Sequence, residues 1–434
     1  MPDLIFVRPN DPNGLVIIPP LNIGYLSAAV GWHQNGVTKL IDALRDNLSP
    51  AQVYNQIPYD AIVAITCMTS DFPWVKRFTS NPNRTFKLVI GGIHPTIMPE
   101  ETLKETKADY VVTGDGEMVL SEIVHDITWY NRRTIINGEP VQDIDNFPDW
   151  NLIDPRTYPH APWGAVTKNP MVAPILTSRG CNYLCTFCAS PKLSKRKIRW
   201  RSIDSVVQEL IYLNTFFDVH EFNFQDDNFT ADGKRAGEIC ERILSAGLHI
   251  DWACENGIRA DKVDKRLLEL MKKAGCYKVN FGVESADNQI LKNIRKLETI
   301  EDIEHGINLA TDAGIEVRAS FIFGLPGETH ETLEKTIRWA AKSRLVGAQF
   351  NILSVNPGSE LWDTLPHDND YTRPMFRSPT CVPEGLTAKD LIDAQRKAFW
   401  SFYLHPDRFI GTLKRVKPSQ IAGLVKRLLS YHIV

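Results

Sequence analysis

The chain has 434 residues, enough for two or three domains, with 43% hydrophobic residues, 23% charged residues and a net charge of -3. That balance is ordinary for a soluble globular protein and lacks the strongly basic face of a dedicated nucleic-acid binder. No apolar run reaches the length of a membrane span. The opening Met-Pro-Asp-Leu-Ile has neither the charged nor the apolar region of a signal peptide, so the eight cysteines are expected to stay reduced in a cytoplasm.

In chain order, Leu4-Ile-Phe-Val-Arg8 reads as a strand, and a glycine- and proline-bearing loop follows over residues 10–20. Tyr25-Leu-Ser-Ala-Ala-Val is helical in character. Further buried strands are predicted over 59–66, 86–94 and 109–117. The alternation predicts a doubly wound, Rossmann-like α/β sheet with its loops at the strand C-terminal ends. Gly91 and Gly92 after Ile90 permit a ligand to approach backbone closely, although a tight turn uses the same residues. Residues 71–84 are short for a parallel crossover, so the helix there is expected to be eroded. His94 reads as a loop histidine rather than a metal ligand. Residues 136–170 are proline-rich, show little periodicity and are expected to form a linker.

Next comes Thr177-Ser-Arg-Gly-Cys181-Asn-Tyr-Leu-Cys185-Thr-Phe-Cys188, a C-x3-C-x2-C motif. Three thiolates so spaced suit three irons of a 4Fe–4S cluster and leave the fourth iron without a protein ligand. Structural zinc wants four ligands, usually in two pairs, and no second pair follows. A disulfide framework belongs to small secreted chains.

From 171 to 365, strand-like and helix-like runs alternate. Gly247, Gly275, Gly314 and Gly347 each end an amphipathic stretch before a strand, as left-handed helix C-caps do. Six strands result, near 171–177, 221–224, 249–254, 277–281, 315–323 and 348–353. Each ends on a polar or glycine-rich segment: the cysteine motif, Gln225-Asp-Asp-Asn228, Glu255-Asn-Gly257, Glu284-Ser285, Gly324-Leu-Pro-Gly-Glu328, and Asn356-Pro-Gly358. In a parallel barrel these ends meet at the face that carries active sites.

Cys67, Cys240, Cys254, Cys276 and Cys381 stand singly and are expected to pack as small hydrophobes. Cys254 alone, at the end of the third barrel strand, is a candidate to face the reaction. The basic stretch 412–429 reads as a solvated helix face, with a membrane or acidic partner as the alternative.

The cysteine segment, with the aromatic Phe187 before its last cysteine, resembles the radical S-adenosylmethionine (radical SAM) superfamily. Gly91-Gly92-Ile-His94-Pro-Thr96, Val112-Thr-Gly114-Asp-Gly116-Glu117, Arg259-Ala-Asp, Phe323-Gly-Leu-Pro-Gly-Glu328 and Phe402-Tyr-Leu-His-Pro406 extend the likeness to its cobalamin-binding-domain subfamily. The resemblance implies four parts: a cobalamin-binding-like Rossmann domain over 1–135, a linker over 136–170, a partial (β/α)6 TIM barrel over 171–365, and a small, mostly helical region over 366–434. It implies a 4Fe–4S cluster on Cys181, Cys185 and Cys188, with S-adenosylmethionine and cobalamin as further cofactors. Phe187 would lie beside the cluster. Asp226, Asp227 and Asn228 would take the cofactor's amino group, and acidic and amide acceptors suit an ammonium donor. Glu284 and Ser285 would contact its ribose, Gly324, Pro326 and Gly327 would lie beside its adenine, and Arg318 would meet its carboxylate. Arg318 in a structural ion pair is the alternative. Gly91 and Gly92 would approach cobalamin.

The cobalt-ligating D-x-H-x-x-G signature is absent; the first loop reads Asn10-Asp-Pro-Asn-Gly14. The implied activity is reductive cleavage of S-adenosylmethionine to a 5′-deoxyadenosyl radical, serving cobalamin-dependent methylation of an unactivated carbon in small-molecule biosynthesis. A radical SAM dehydratase, isomerase or cyclase with a cobalamin-free first domain is the alternative. A non-catalytic iron–sulfur sensor would not need six polar strand ends. The expected partners are a small-molecule substrate and a flavodoxin- or ferredoxin-type electron donor, with no nucleic acid and no membrane.

Overall fold

The computed structural model describes residues 2–11, 17–31, 37–125, 134–159, 167–406, 408, 410 and 411. The chain divides into two compact units, Met1–Pro159 with Asn369–Arg373, and His160–Asp368 with Pro374–Val434.

The first unit is one parallel sheet of β1 (Leu4–Arg8), β2 (Thr38–Asp42), β3 (Ile62–Thr66), β4 (Lys87–Gly91), β5 (Tyr110–Gly114) and β6 (Thr134–Gly138), in the order β2-β1-β3-β4-β5-β6. The central strands are apolar runs buried on both faces, as a helix-covered parallel sheet requires. The two edge strands carry polar, half-exposed residues and no apolar run, so pattern reading does not reveal them. The crossover over 71–84 is not eroded. It holds the helix Phe72–Thr79, whose two turns suffice because Phe72, Trp74, Val75 and Phe78 are all buried. Residues 136–159 are not a linker. After β6 they run over the first unit with Ile144, Trp150, Ile153 and Tyr158 buried, and the Tyr158 hydroxyl donates to Asp42 at 2.8 Å.

The second unit holds β7 (Val172–Ile175), a two-residue hairpin of β8 (Ser178–Arg179) and β9 (Arg199–Trp200), then β10 (Glu221–Phe224), β11 (Asp251–Ile258), β12 (Cys276–Glu284), β13 (Glu316–Phe323) and β14 (Gly347–Ile352). Six of these form a parallel sheet ordered β7-β10-β11-β12-β13-β14. The end strands β7 and β14 do not pair with each other, so the barrel is open. Side-chain caps start the connecting helices at Ser202, Asp232, Asp264, Thr299 and Thr329. Gly247, Gly275 and Gly314 follow the helix ends at φ +66°, +100° and +77°. Gly347 is different. It is the first residue of β14, and a Cβ there would lie 3.1 Å from Arg318 Nε, so this glycine makes room for the arginine.

Alternation divides the two faces of the sheet. On β13, buried Val317, Ala319, Phe321 and Phe323 alternate with partly exposed Glu316, Arg318, Ser320 and Ile322. The buried face lies under helices: Phe321 meets Trp339 of the helix His330–Lys342, and Phe350 meets Phe402 of the helix Ala388–Tyr403. The other face is the polar lumen. Tyr403 donates to the Ala348 carbonyl at 2.8 Å and accepts from its amide at 3.1 Å, satisfying the open edge of β14. The basic stretch 412–429 lies outside the described residues.

Candidate active site

The β8–β9 hairpin staples an excursion over residues 180–198 that carries all three motif cysteines. Gly180 is required at its entry. Its φ is +97°, and a Cβ would fall 2.4 Å from the Lys197 carbonyl oxygen. Beyond it, Thr186 donates its amide to the Ile294 carbonyl at 3.1 Å and accepts from the Leu361 amide at 3.0 Å. Tyr183 lies under the Arg259 guanidinium at 3.8 Å. Arg259 is itself held by the carbonyls of Lys296 (2.7 Å) and Leu297 (3.2 Å), by Asp261 (2.8 Å) and by Glu298 (3.4 Å). Phe187 is partly exposed between Cys185 and Cys188.

Burial raises the pKa of all three thiols, that of Cys188 to about 12, while Lys296 and Arg259 pull Cys181 and Cys185 the other way. Metal binding deprotonates such thiols. Among the described residues no three His, Cys, Asp or Glu side chains converge on a single ion. A four-iron cluster does not ask for that, because each cysteine binds a different iron. Three partly buried thiols on one stapled loop, with two cations beside them, fit such a cluster.

The strand-end residues divide sharply. Asp226 is fully buried, and its carboxylate accepts from the Thr177 amide (3.0 Å), the Thr177 hydroxyl (2.8 Å) and the Ser178 hydroxyl. It ties β10 to the start of the cysteine excursion, so the expected ammonium contact is corrected to a structural one. Asp227, next in sequence, is more exposed as a residue, but its carboxylate accepts the Ser190 hydroxyl at 3.0 Å and the Gly180 amide, and burial of the group raises its pKa. Asn228 is buried with its amide nitrogen unpartnered. The amide nitrogens of Asn223 and Gln225 are also buried without a hydrogen-bond partner.

Glu284 ends β12 at φ +64°, and its carboxylate faces Lys296 Nζ at 3.4 Å. Burial raises its pKa against the pull of Lys296. Ser285 is corrected as a ribose contact, since its hydroxyl pairs with Thr336 at 3.3 Å and accepts the Asp287 amide. The Gly324-Leu-Pro326-Gly327 turn is closed by Glu328, which accepts the amides of Gly324 (2.5 Å) and Leu325 (3.1 Å). A Cβ at Gly327 would meet Asn293 at 2.7 Å and one at Gly324 would meet Leu391 at 3.1 Å. The glycines therefore answer first to packing against the protein itself.

Arg318 stands two residues into β13 from its N-terminal end, whereas the cysteine excursion leaves the C-terminal end of β7. It faces Glu255 at 4.0 Å, and Lys278 binds the same carboxylate at 2.5 Å. The structure thus puts Arg318 in a lumen ion-pair group rather than at the barrel mouth. Cys254 shares the outer face of β11 with Trp252, which stacks on Phe224, and its thiol lies near Cys276 and Cys240 of the helix Gly233–Ser245. It does not face the lumen, which removes it as a catalytic candidate.

In the first unit, Gly92 has φ +110°, and a Cβ would lie 2.9 Å from the Cys67 backbone. The backbone just past β3 alone already demands glycine there. Gly91 has only ordinary contacts near 3.7 Å. His94 lies in the short helix Ile93–Ile97 and is fully buried, its ring tilted 33° against Phe72 at 4.1 Å, and burial lowers its pKa to about 4. It offers no exposed donor. Met68, Ile93 and Met118 are instead exposed, at 51%, 41% and 63%, just past the C-terminal ends of β3, β4 and β5. Such an exposed apolar rim fits the flat face of a corrin.

Sequence reasoning missed Tyr183, Lys296, Lys278 and the amides of Asn223 and Gln225, whereas Asn228 was among its candidates, as an acceptor for the amino group. The polar alternation Glu221, Asn223, Gln225 along β10 was the one available signal.

Residues 175–340 match the model of the radical SAM superfamily and residues 15–124 that of the B12 binding domain. An uncharacterized methyltransferase of Pyrococcus horikoshii is 32% identical over 418 residues, spanning 89% of this chain and 88% of that one. The anaerobic magnesium-protoporphyrin IX monomethyl ester cyclase of Rubrivivax gelatinosus is 29% identical over 437 residues, spanning 93% and 77%. The structure of the radical S-adenosylmethionine methyltransferase TsrM from Kitasatospora setae, with cobalamin and a 4Fe–4S cluster bound, superposes with a TM-score of 0.66 at 18% identity, over 83% of this chain and 74% of that one. That likeness is one of fold.

Proposed function

We propose that this chain, which belongs to the radical SAM superfamily and carries a B12 binding domain ahead of its radical SAM domain, is a cobalamin-dependent methyltransferase acting on an unactivated carbon of a small molecule. The carrying observation is a stapled three-thiol loop at the mouth of an open barrel, in one chain with a sheet end that offers an exposed apolar rim and, among the described residues, only the buried His94. A cluster on Cys181, Cys185 and Cys188 and a bound cobalamin would supply, respectively, reductive cleavage of S-adenosylmethionine and methyl transfer to the substrate carbon.

The protein's own residues bind and orient. Arg259 fixes the cysteine loop through Tyr183. Asp226 fixes its entry. Asp227 keeps acceptor capacity for an ammonium group, and the unpartnered amides of Gln225 and Asn228 are donors for a carboxylate or hydroxyl. Glu284, paired with Lys296, is a further acceptor at the end of β12, two strands along the sheet. The cyclase relative supplies the competing reading. We further place the protein in the cytoplasm with a protein electron donor; no described helix is long and apolar enough to cross a membrane.

The test is anaerobic reconstitution with iron, sulfide and hydroxocobalamin, followed by dithionite and S-adenosylmethionine. A methyltransferase loses the methyl group of one S-adenosylmethionine and cleaves another, so S-adenosylhomocysteine and 5′-deoxyadenosine both appear. Deoxyadenosine alone favours cyclase, isomerase or dehydratase chemistry. Neither product from cluster-loaded protein overturns the reading.

A further inference from the structure

We propose that the basic outer side of the cysteine excursion, residues 190–200, is the docking surface for an acidic one-electron carrier protein of the flavodoxin or ferredoxin class. This rests on the reading of Cys181, Cys185 and Cys188 as cluster ligands. Between Cys188 and Asp204 the chain has six cations and no carboxylate, although its net charge is -3. Lys192, Lys195, Arg196 and Lys197 are exposed and form no ion pair among the described residues. Exposed lysines elsewhere do pair, as Lys234 with Glu238, Lys265 with Glu269 and Lys389 with Asp393. Arg201, which closes the run, is buried against Glu209 and anchors it.

This segment is built, not loose. Lys195 and Arg196 occupy left-handed backbone at φ +50° and +60°. The Arg196 amide donates to the Pro191 carbonyl at 3.1 Å and the Lys197 amide to Ser194 at 3.0 Å. The same turn grips the thiol loop from behind. Ser194 donates its hydroxyl to the Cys181 carbonyl at 3.0 Å, and the Ser190 amide donates to Cys188 Sγ at 3.4 Å. The cations are thus one peptide layer away from two of the three thiols. Trp200, 36% exposed on β9 and 4.8 Å from Arg235, adds an aromatic anchor.

Exposed, unpaired cations give little static affinity, but they steer an oppositely charged partner and orient it. A redox encounter needs that, because its interfaces are small and short-lived. The transfer moves one electron from the reduced carrier, which is oxidised by one, to the cluster, which is reduced by one. No bond forms or breaks.

The test uses the full, anaerobically reconstituted chain, with an oxidised flavodoxin and a ferredoxin of strongly negative charge as probes, titrated calorimetrically at rising ionic strength. Wild-type protein should bind one of them with affinity that falls as salt rises. The variant Lys192→Glu, Lys195→Glu, Arg196→Glu, Lys197→Glu should lose about tenfold or more of that affinity and most of its salt dependence. Its iron content and dithionite-driven deoxyadenosine formation should match wild type. If charge reversal prevents folding, the four glutamine substitutions should lose affinity in the same direction. Affinity within about twofold of wild type, or no binding of either probe by wild type, overturns the proposal. So does an iron-replete variant that fails with dithionite, since the loop would then serve the inner site. Wild-type protein without iron defeats the cluster reading instead.

Discussion

Asp226→Ala is expected to lower the stability of the second unit rather than to remove a contact with S-adenosylmethionine. The carboxylate accepts from the Thr177 amide, the Thr177 hydroxyl and the Ser178 hydroxyl, all buried. The hydroxyls can turn to other acceptors. The Thr177 amide cannot, and one orphaned buried donor costs roughly 1–3 kcal/mol. Loss of a charge-assisted hydrogen bond adds roughly 1.5–3 kcal/mol, so the sum is about 4 kcal/mol. A unit of this size loses about 2–4 °C of melting temperature per kcal/mol, which puts the fall at about 8–16 °C. Anaerobic thermal unfolding followed by circular dichroism measures it, and equilibrium dialysis measures S-adenosylmethionine binding on the same samples. Asp227→Ala is the contrast. Its carboxylate accepts only the Ser190 hydroxyl and the Gly180 amide and its residue is the more exposed, so its melting point should fall clearly less than that of Asp226→Ala while cofactor binding weakens. An Asp226→Ala protein that melts like wild type and no longer binds S-adenosylmethionine would refute this reasoning and return Asp226 to the ammonium group.

Arg259→Lys should reduce the iron retained per chain after reconstitution and desalting. Lysine cannot span the Lys296 and Leu297 carbonyls or lie flat on Tyr183, and unchanged iron would count against the clamp. His94 has a folded pKa of about 4, below its ordinary 6.5, because burial disfavours its cation. Its stability contribution is therefore full above pH 6.5 and lost as pH falls through 4. The whole shift corresponds to roughly 3 kcal/mol. His94→Gln should flatten the dependence of unfolding free energy across that window, and parallel curves would be a failure. Burial raises the Glu328 pKa from 4.5 to about 8, so its contribution is full below 4.5 and lost as pH rises through 8. Glu328→Gln keeps the shape and stays neutral. Wild type should thus lose stability relative to this variant between pH 4.5 and about 8, and a constant difference between the two melting curves would rule out a protonated Glu328.

The six barrel strands were legible because each carries an alternating or apolar run and a polar end after it, and four of them also follow a glycine that reads as a helix cap. Gly247, Gly275 and Gly314 show why the cap signal works, since positive φ selects glycine whatever surrounds it. Gly347 shows how it misleads. The same letter in the same place answers to the width of Arg318 across the register. The edge strands β2 and β6 were hidden because edges need no apolar run. The span 136–159 was misread because proline marks a fixed backbone, which serves a packed strap as well as a linker.

Individual site residues were less legible, for a reason that Asp226 and Asp227 display together. They are chemically identical neighbours, yet one is fully buried with three internal donors and the other is more exposed with two, the Ser190 hydroxyl and the Gly180 amide. Sequence gives the type of a side chain but not which of its hydrogen bonds the protein itself satisfies. Charged residues at strand ends therefore attract ligand roles too readily, because buried charge must be paired internally before the fold can bury it. Ser285 and Arg318 are the same case: Thr336 and Glu255 hold them. A buried amide left open is the opposite case. It costs stability that the fold does not recover, so a bound partner is the natural account of its persistence. By that accounting Gln225 and Asn228, at the end of β10 and beside the stapled thiol loop, are stronger candidates for ligand contacts than Asp226, the fully buried one of the two acidic residues between them.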